Sequence, residues 1–148
     1  MGADREIVRD RLSRIRRYLG DLRSMSDITG EAFKTNRERQ YAVLHALQLA
    51  IEAAIEIGTH ICSADNLGVP SSYAEAFDLL EQGLVIEPAL AVKLRAMARF
   101  RNRIVHFYWD LDLDDIYRIL QEHLGDFQDY LSAIELYLEP TATNPGNG

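Results

Sequence analysis

A chain of 148 residues with a formal charge of −7 and a single cysteine limits what it can be. The length suits one domain with a real core, and Cys62 cannot form an intrachain disulfide, so a reducing, cytoplasmic setting is expected. The acidic balance argues against a general nucleic-acid coat, since such proteins usually carry a basic excess that draws on phosphate attraction.

The chain reads as all-α, because Pro and Gly are few and helical periodicity fills the stretches between them. The first residues, Met1 to Glu6, alternate charge and lack the apolar run of a secretory signal. A first helix is expected over Asp4 to about Ser24, with Ile7, Leu12, Ile15, Leu19 and Leu22 as its apolar stripe. A second runs from about Glu31 to Cys62, burying Phe33, Leu44, Leu47, Ile51, Ala54 and Ile61, with Val43, Ala50 and Ile57 widening that face. His45, Gln48, Glu52, Glu56 and His60 interrupt its apolar part, which argues against a bilayer span of about 20 uncharged residues.

Gln48, Glu52, Glu56 and His60 lie four apart on one side of that helix. They form either a solvated edge or, for Glu52 or Glu56, a wall of a site that orients a base. Asn66 to Pro70 is a loop, and Ser72 with Glu75 has capping-box spacing for a short helix through about Gln82, ended by Gly83. Pro88 suits the first turn of a fourth helix reaching Tyr108 or Trp109. The acids Asp110, Asp112, Asp114 and Asp115 then open a last helix from about Asp114 to Leu138. Residues 1–140 thus form a single antiparallel, up-down bundle of four to five helices, and residues 141–148, with nothing to bury, a disordered tail.

No metal site is expected. The acids at 110–115 lack the sixth-position glycine of a calcium loop, and His45, His60, His106 and His123 are scattered without ligand spacing.

The chemistry concentrates in Arg101-Asn102-Arg103-Ile104-Val105-His106-Phe107-Tyr108. Histidine exchanges a proton near neutral pH, while arginine stays charged and forks onto phosphate oxygens. Together they suit metal-independent attack on a phosphodiester. Lys93, Arg95, Arg99, Arg101 and Arg103 form a basic run without an acid, so Lys93, Arg95, Arg99 and Arg103 are candidate phosphate contacts. At about 100° per residue, Arg101 and His106 lie about 140° apart on a regular helix. Their convergence needs a helix distortion, the reach of arginine, or a second copy across a two-fold axis; the homodimer is the preferred expectation.

Arginine, four residues, histidine, one residue, tyrosine, with asparagine directly after the arginine, resembles the motif of the HepT toxins of the HEPN superfamily. The resemblance covers about Asp4 to Leu138 and extends to the helical layout. It implies a ribonuclease toxin whose cleft forms on dimerisation. His106 is then the general acid/base for the ribose 2′-hydroxyl, Arg101 holds the scissile phosphate, and Asn102 positions one of its oxygens. Cyclic-phosphate ends and resistance of DNA follow. Tyr108 matches the tyrosine to which a minimal nucleotidyltransferase antitoxin, MntA, transfers AMP; ATP and Mg²⁺ belong to that partner and this chain needs no cofactor of its own. The RNA cut is expected first among transfer RNAs, an expectation that rests on family analogy. The alternative is a noncatalytic HEPN-like subunit that binds nucleotide or substrate for a nucleotidyltransferase partner; a third reading is a bundle serving only as a scaffold.

Overall fold

The computed structural model describes residues 4–140 and contains, among them, seven α-helices and no strand. These are α1 (Arg5–Met25), α2 (Gly30–Thr35), α3 (Arg37–Ala64), α4 (Tyr73–Gln82), α5 (Pro88–His106), α6 (Leu113–Glu122) and α7 (Leu124–Leu138), with a 3-10 turn at Tyr108–Asp110 between α5 and α6. The tail expected at residues 141–148 lies outside the described residues.

α3 is the central helix because it is apolar on most of its circumference. Val43, Leu47, Ala50, Ile51, Ala54, Ile57, Ile61 and Cys62 are all buried, against α1 on one side and α4 and α5 on the other. It is long and apolar enough by composition to cross a bilayer, but 61% of its most apolar window is buried inside the bundle, as a core helix requires. α1 runs antiparallel to it. The backbone N–H of Asp4 donates to His60 Nε2 at 2.9 Å at one end, and Arg39 Nη1 donates to the Met25 carbonyl at 2.9 Å at the other. At the N-terminal end of α1, Arg5 donates to the Leu138 carbonyl at the end of α7, so α7 is antiparallel to α1 as well.

The expected stripe of α1 holds except at its first member. Ile7 is 41% exposed and Val8 takes its place in the core, followed by Leu12, Ile15, Leu19 and Leu22. The helix expected over Glu31–Cys62 is two helices. Asn36 leaves the helical region (φ −105°, ψ 91°), and its Oδ1 accepts from the Arg39 N–H at 2.9 Å, starting α3 afresh. Asparagine competes with the helix for backbone donors and so favours caps over interiors. The break frees α2 to press Phe33 into the core beside Tyr117, ring centroids 5.6 Å apart.

The expected last helix is broken at His123, which sits at φ −116°, ψ 5° with Nδ1 3.1 Å from Asp126 Oδ2. Gly125 nearby lowers the helical preference of that stretch. Asp112 caps α6 by accepting from the Asp114 N–H at 2.8 Å. The fourth expected helix ends two or three residues early, at His106. Phe107 leaves it at φ −136°, ψ 38°, so Tyr108 stands on the following turn. The capping box at α4 forms with one change: Ser72 Oγ accepts from Glu75 N–H at 3.1 Å, while the Glu75 carboxylate accepts from Ser71.

Candidate active site

α5 places the motif because its buried residues, Ala91, Leu94, Met97, Ala98, Phe100 and Ile104, hold one face against the bundle. Arg101 points toward α3 and α4. Its Nε and Nη2 donate to Glu52 Oε2 at 3.0 and 2.8 Å, and its Nη1 donates to Asn102 Oδ1 at 3.3 Å. Gln48 Nε2 donates to the same Glu52 oxygen at 3.1 Å. The guanidinium carbon lies 4.9 Å from the ring centroid of Tyr73, in cation–π contact. With its side chain only 16% exposed, Arg101 is held in one orientation by a carboxylate, an amide and a ring.

His106 closes the same helix and is exposed, with no hydrogen-bond partner among the described residues. It lines a cavity of about 460 Å³ with Thr59, Pro70, Ser71, Ser72, Tyr73 and Asn102. Arg101 lines a second, smaller cavity of about 230 Å³ with Glu52, Ile55, Glu56 and Tyr73. Tyr73 belongs to both. α5 stays helical through His106, and the reach of Arg101 goes to Glu52. Within one chain, Arg101 and His106 therefore flank a shared tyrosine without touching. Glu52 anchors the arginine, not the histidine. Glu56 lies beside Arg101 and pairs with Arg11 Nε at 3.3 Å.

The basic run does not form one surface. Arg95 turns to α4, where Nη1 lies 3.0 Å from both Asp78 and Glu81. Lys93 Nζ lies 3.7 Å from Asp126. Arg99 and Arg103 are exposed and without an acidic partner among the described residues, and they line a groove of about 400 Å³ with Lys93, Arg118 and His123 and with the acids Asp115 and Asp126. Their spacing of four and then three residues to His106 puts all three on one exposed stripe of α5.

Tyr108 stacks on Tyr41 of α3, centroids 6.2 Å apart and planes at 29°. Hydrogen bonding to Tyr41 and, less, burial raise its hydroxyl above the usual tyrosine value, with nearby Arg37 pulling the other way. It is 45% exposed, at a cavity of about 330 Å³ that Arg37, Tyr41 and Trp109 also line. Sequence reasoning missed Tyr73, Tyr41 and Arg37. The only signal for Tyr73 was its place directly after the Ser72 cap, which says nothing of the arginine it meets. No group of three or more metal-ligating side chains occurs among the described residues.

Residues 15–134 match the family described as Ribonuclease HepT-like. The chain belongs to the HepT-like ribonuclease family. Among relatives of this family, the mRNA nuclease HepT of Shewanella oneidensis is 35% identical over 124 residues, covering 84% of this chain and 87% of the relative. The tRNA nuclease HepT of Aphanizomenon flos-aquae is 32% identical over 132 residues, covering 89% and 90%. The fold is also similar to that of a solved toxin–antitoxin complex with AMP-PNP, at a TM-score of 0.83, 31% identity and coverage of 88% and 98%. A tri-AMPylated HEPN toxin of Shewanella oneidensis in complex with its MNT antitoxin gives a TM-score of 0.82, with 32% identity and coverage of 88% and 97%. The HepT-like chain is thus a nuclease of the toxin–antitoxin kind, with the all-α fold of HEPN toxins.

Proposed function

We propose that this chain acts in the cytoplasm as a homodimeric, metal-independent endoribonuclease toxin in which Arg101, Asn102 and His106 carry the reaction and Tyr108 carries the off-switch. The observation that supports it best is the contrast within one helix: Arg101 is largely enclosed and fixed by Glu52 and Tyr73, whereas His106 is exposed and has no hydrogen-bond partner among the described residues. A fixed cation suits transition-state charge, and a free imidazole suits proton transfer. Arg101 spends Nε, one Nη2 hydrogen and one Nη1 hydrogen on protein partners, and its remaining N–H groups are left for a phosphate.

His106 takes the proton of a ribose 2′-hydroxyl. The oxygen then attacks the adjacent phosphorus, and the bond to the 5′-oxygen breaks. The products are a 2′,3′-cyclic phosphate and a 5′-hydroxyl, the leaving oxygen taking its proton from the second copy's His106. Arg101 stabilises the phosphorane-like charge and Asn102 hydrogen-bonds one oxygen. No side-chain nucleophile is required, and DNA, without the 2′-hydroxyl, is not cut. Arg99 and Arg103, on the stripe of His106, guide the RNA backbone toward it; Lys93 is a weaker contact, and Arg95 is committed to α4.

The partner is a nucleotidyltransferase antitoxin that uses ATP and Mg²⁺ to place AMP on Tyr108. Tyr108, a residue 45% exposed and two positions beyond His106, would then carry negative charge and bulk where RNA enters. Induced expression of the wild-type and His106→Ala chains, alone and with a co-expressed nucleotidyltransferase, tests this. Growth arrest that needs His106, relieved together with a gain of whole AMP units on Tyr108, is the expected result. Harmless, unmodified protein in every combination overturns it.

A further inference from the structure

The geometry points to a nucleobase subsite in the cavity beside His106, with Tyr73 as the platform on which the base of the cleaved nucleotide stacks. The inference rests on His106 being the base of the reaction above. That role places the ribose 5′ to the scissile bond at His106, and the base of the same nucleotide must then lie within one sugar's reach. The cavity of about 460 Å³ lined by His106 is of the size that takes a small ligand. Its walls suit a base. Tyr73 is 43% exposed as a residue although Arg101 packs on its ring, and Pro70 offers a second flat surface.

Single-stranded RNA is recognised chiefly by stacking unpaired bases on aromatic rings and by hydrogen bonds to their edges. Polar groups for the edges are present. The Asn102 amide accepts from Arg101, leaving its NH₂ without a partner among the described residues, and Thr59 Oγ1 donates to the Ile55 carbonyl and keeps its acceptor capacity. The loop wall is pinned, since Ser71 and Ser72 are both tied to Glu75. Because Tyr73 touches Arg101 as well, one ring sets the base and the phosphate-binding cation at a fixed separation. Tyr73 therefore favours an unpaired nucleotide at the cut, because a base in a duplex cannot leave its stack to reach the ring without a cost.

The test is a cycle between protein and RNA. A cut made by the wild-type chain, and absent with His106→Ala, is mapped in a transcript. The transcript is then rebuilt with an abasic ribonucleotide 5′ to that cut, and kcat/KM is measured for wild type, Tyr73→Ala and Tyr73→Phe. The abasic change is expected to cost the wild type about tenfold or more, as loss of one base–aromatic stack does, to cost Tyr73→Phe about as much, and to cost Tyr73→Ala little further. Equal abasic losses in wild type and Tyr73→Ala overturn the subsite while the catalytic reading stands. Absence of any cut, or a cut that survives His106→Ala, overturns the catalytic reading and the subsite with it.

Discussion

Arg101 gives two of its N–H groups to one oxygen of Glu52, at 3.0 and 2.8 Å, and so ties α5 to the central helix across 49 residues of sequence. With Arg101 at 16% and Glu52 at 30% side-chain exposure, each charge depends on the other. Arg101→Ala is expected to abolish RNA cleavage and to lower stability by about 1–3 kcal/mol, because Glu52 loses its charge-assisted partner. Glu52→Gln keeps the shape but loosens the guanidinium, so cleavage falls by about tenfold with folding nearly unchanged. Single-turnover cleavage and denaturant unfolding of both variants check this; full activity in Glu52→Gln would show that the arginine needs no anchor.

Arg99 and Arg103, on the exposed stripe of α5, meet no acidic partner among the described residues, whereas Arg95 is shared between Asp78 and Glu81. Replacing Arg99 or Arg103 by Ala should lower the slope of log binding constant against log salt by about 0.7 per residue for single-stranded RNA. Arg95→Ala should leave the slope alone and cost about 0.5–1 kcal/mol of stability. Titration of a catalytically silent His106→Ala background with RNA at several salt concentrations separates the two groups.

Tyr41 is the chief cause of the raised titration of Tyr108. A raised value means less phenolate at a given pH, so Tyr41→Phe should bring the Tyr108 hydroxyl back toward its ordinary range and speed its modification with AMP. Time courses of intact mass with the nucleotidyltransferase partner follow this. A slower rate in Tyr41→Phe would mean that the stacked ring matters more for presenting the hydroxyl than for its acidity.

Burial, then a hydrogen bond to Asp65, push the Tyr137 hydroxyl up to about 12, and complete burial pushes Tyr130 up as well. Both favour the neutral phenol in the folded state. Their contribution is complete below the ordinary tyrosine value of about 10 and is lost as pH rises from there through the folded-state values. Denaturant midpoints should therefore drop between pH 9 and pH 11 or above, choices of pH that bracket the ordinary tyrosine value of about 10. Tyr137→Phe, less stable at neutral pH through loss of its bond to Asp65, should show a shallower drop.

The helices were legible because their signals are local. Ser72 with Glu75, Pro88 at the start of α5 and the apolar face of α3 appear where spacing placed them. The breaks at Asn36 and His123 were not read, since a polar residue inside a helical pattern is often tolerated and only packing decides otherwise; α2 leaves the line of α3 to bury Phe33. The motif was visible as a string of residues, and its 140° separation of Arg101 from His106 already showed that one straight helix does not join them.

By itself, then, the sequence determined the helical class, most of the core, and the residue types that do the chemistry, because periodicity and motif spacing are properties of neighbours along the chain. Only the tertiary structure decided what those residues meet. That Glu52 grips Arg101, that Tyr73 borders both motif cavities, that Arg95 is spent on α4 while Arg99 and Arg103 meet no acid among the described residues, and that Tyr108 leans on Tyr41 all depend on contacts between helices. Such contacts are set by how apolar faces pack around α3, and no local spacing encodes the partner of a side chain dozens of residues away.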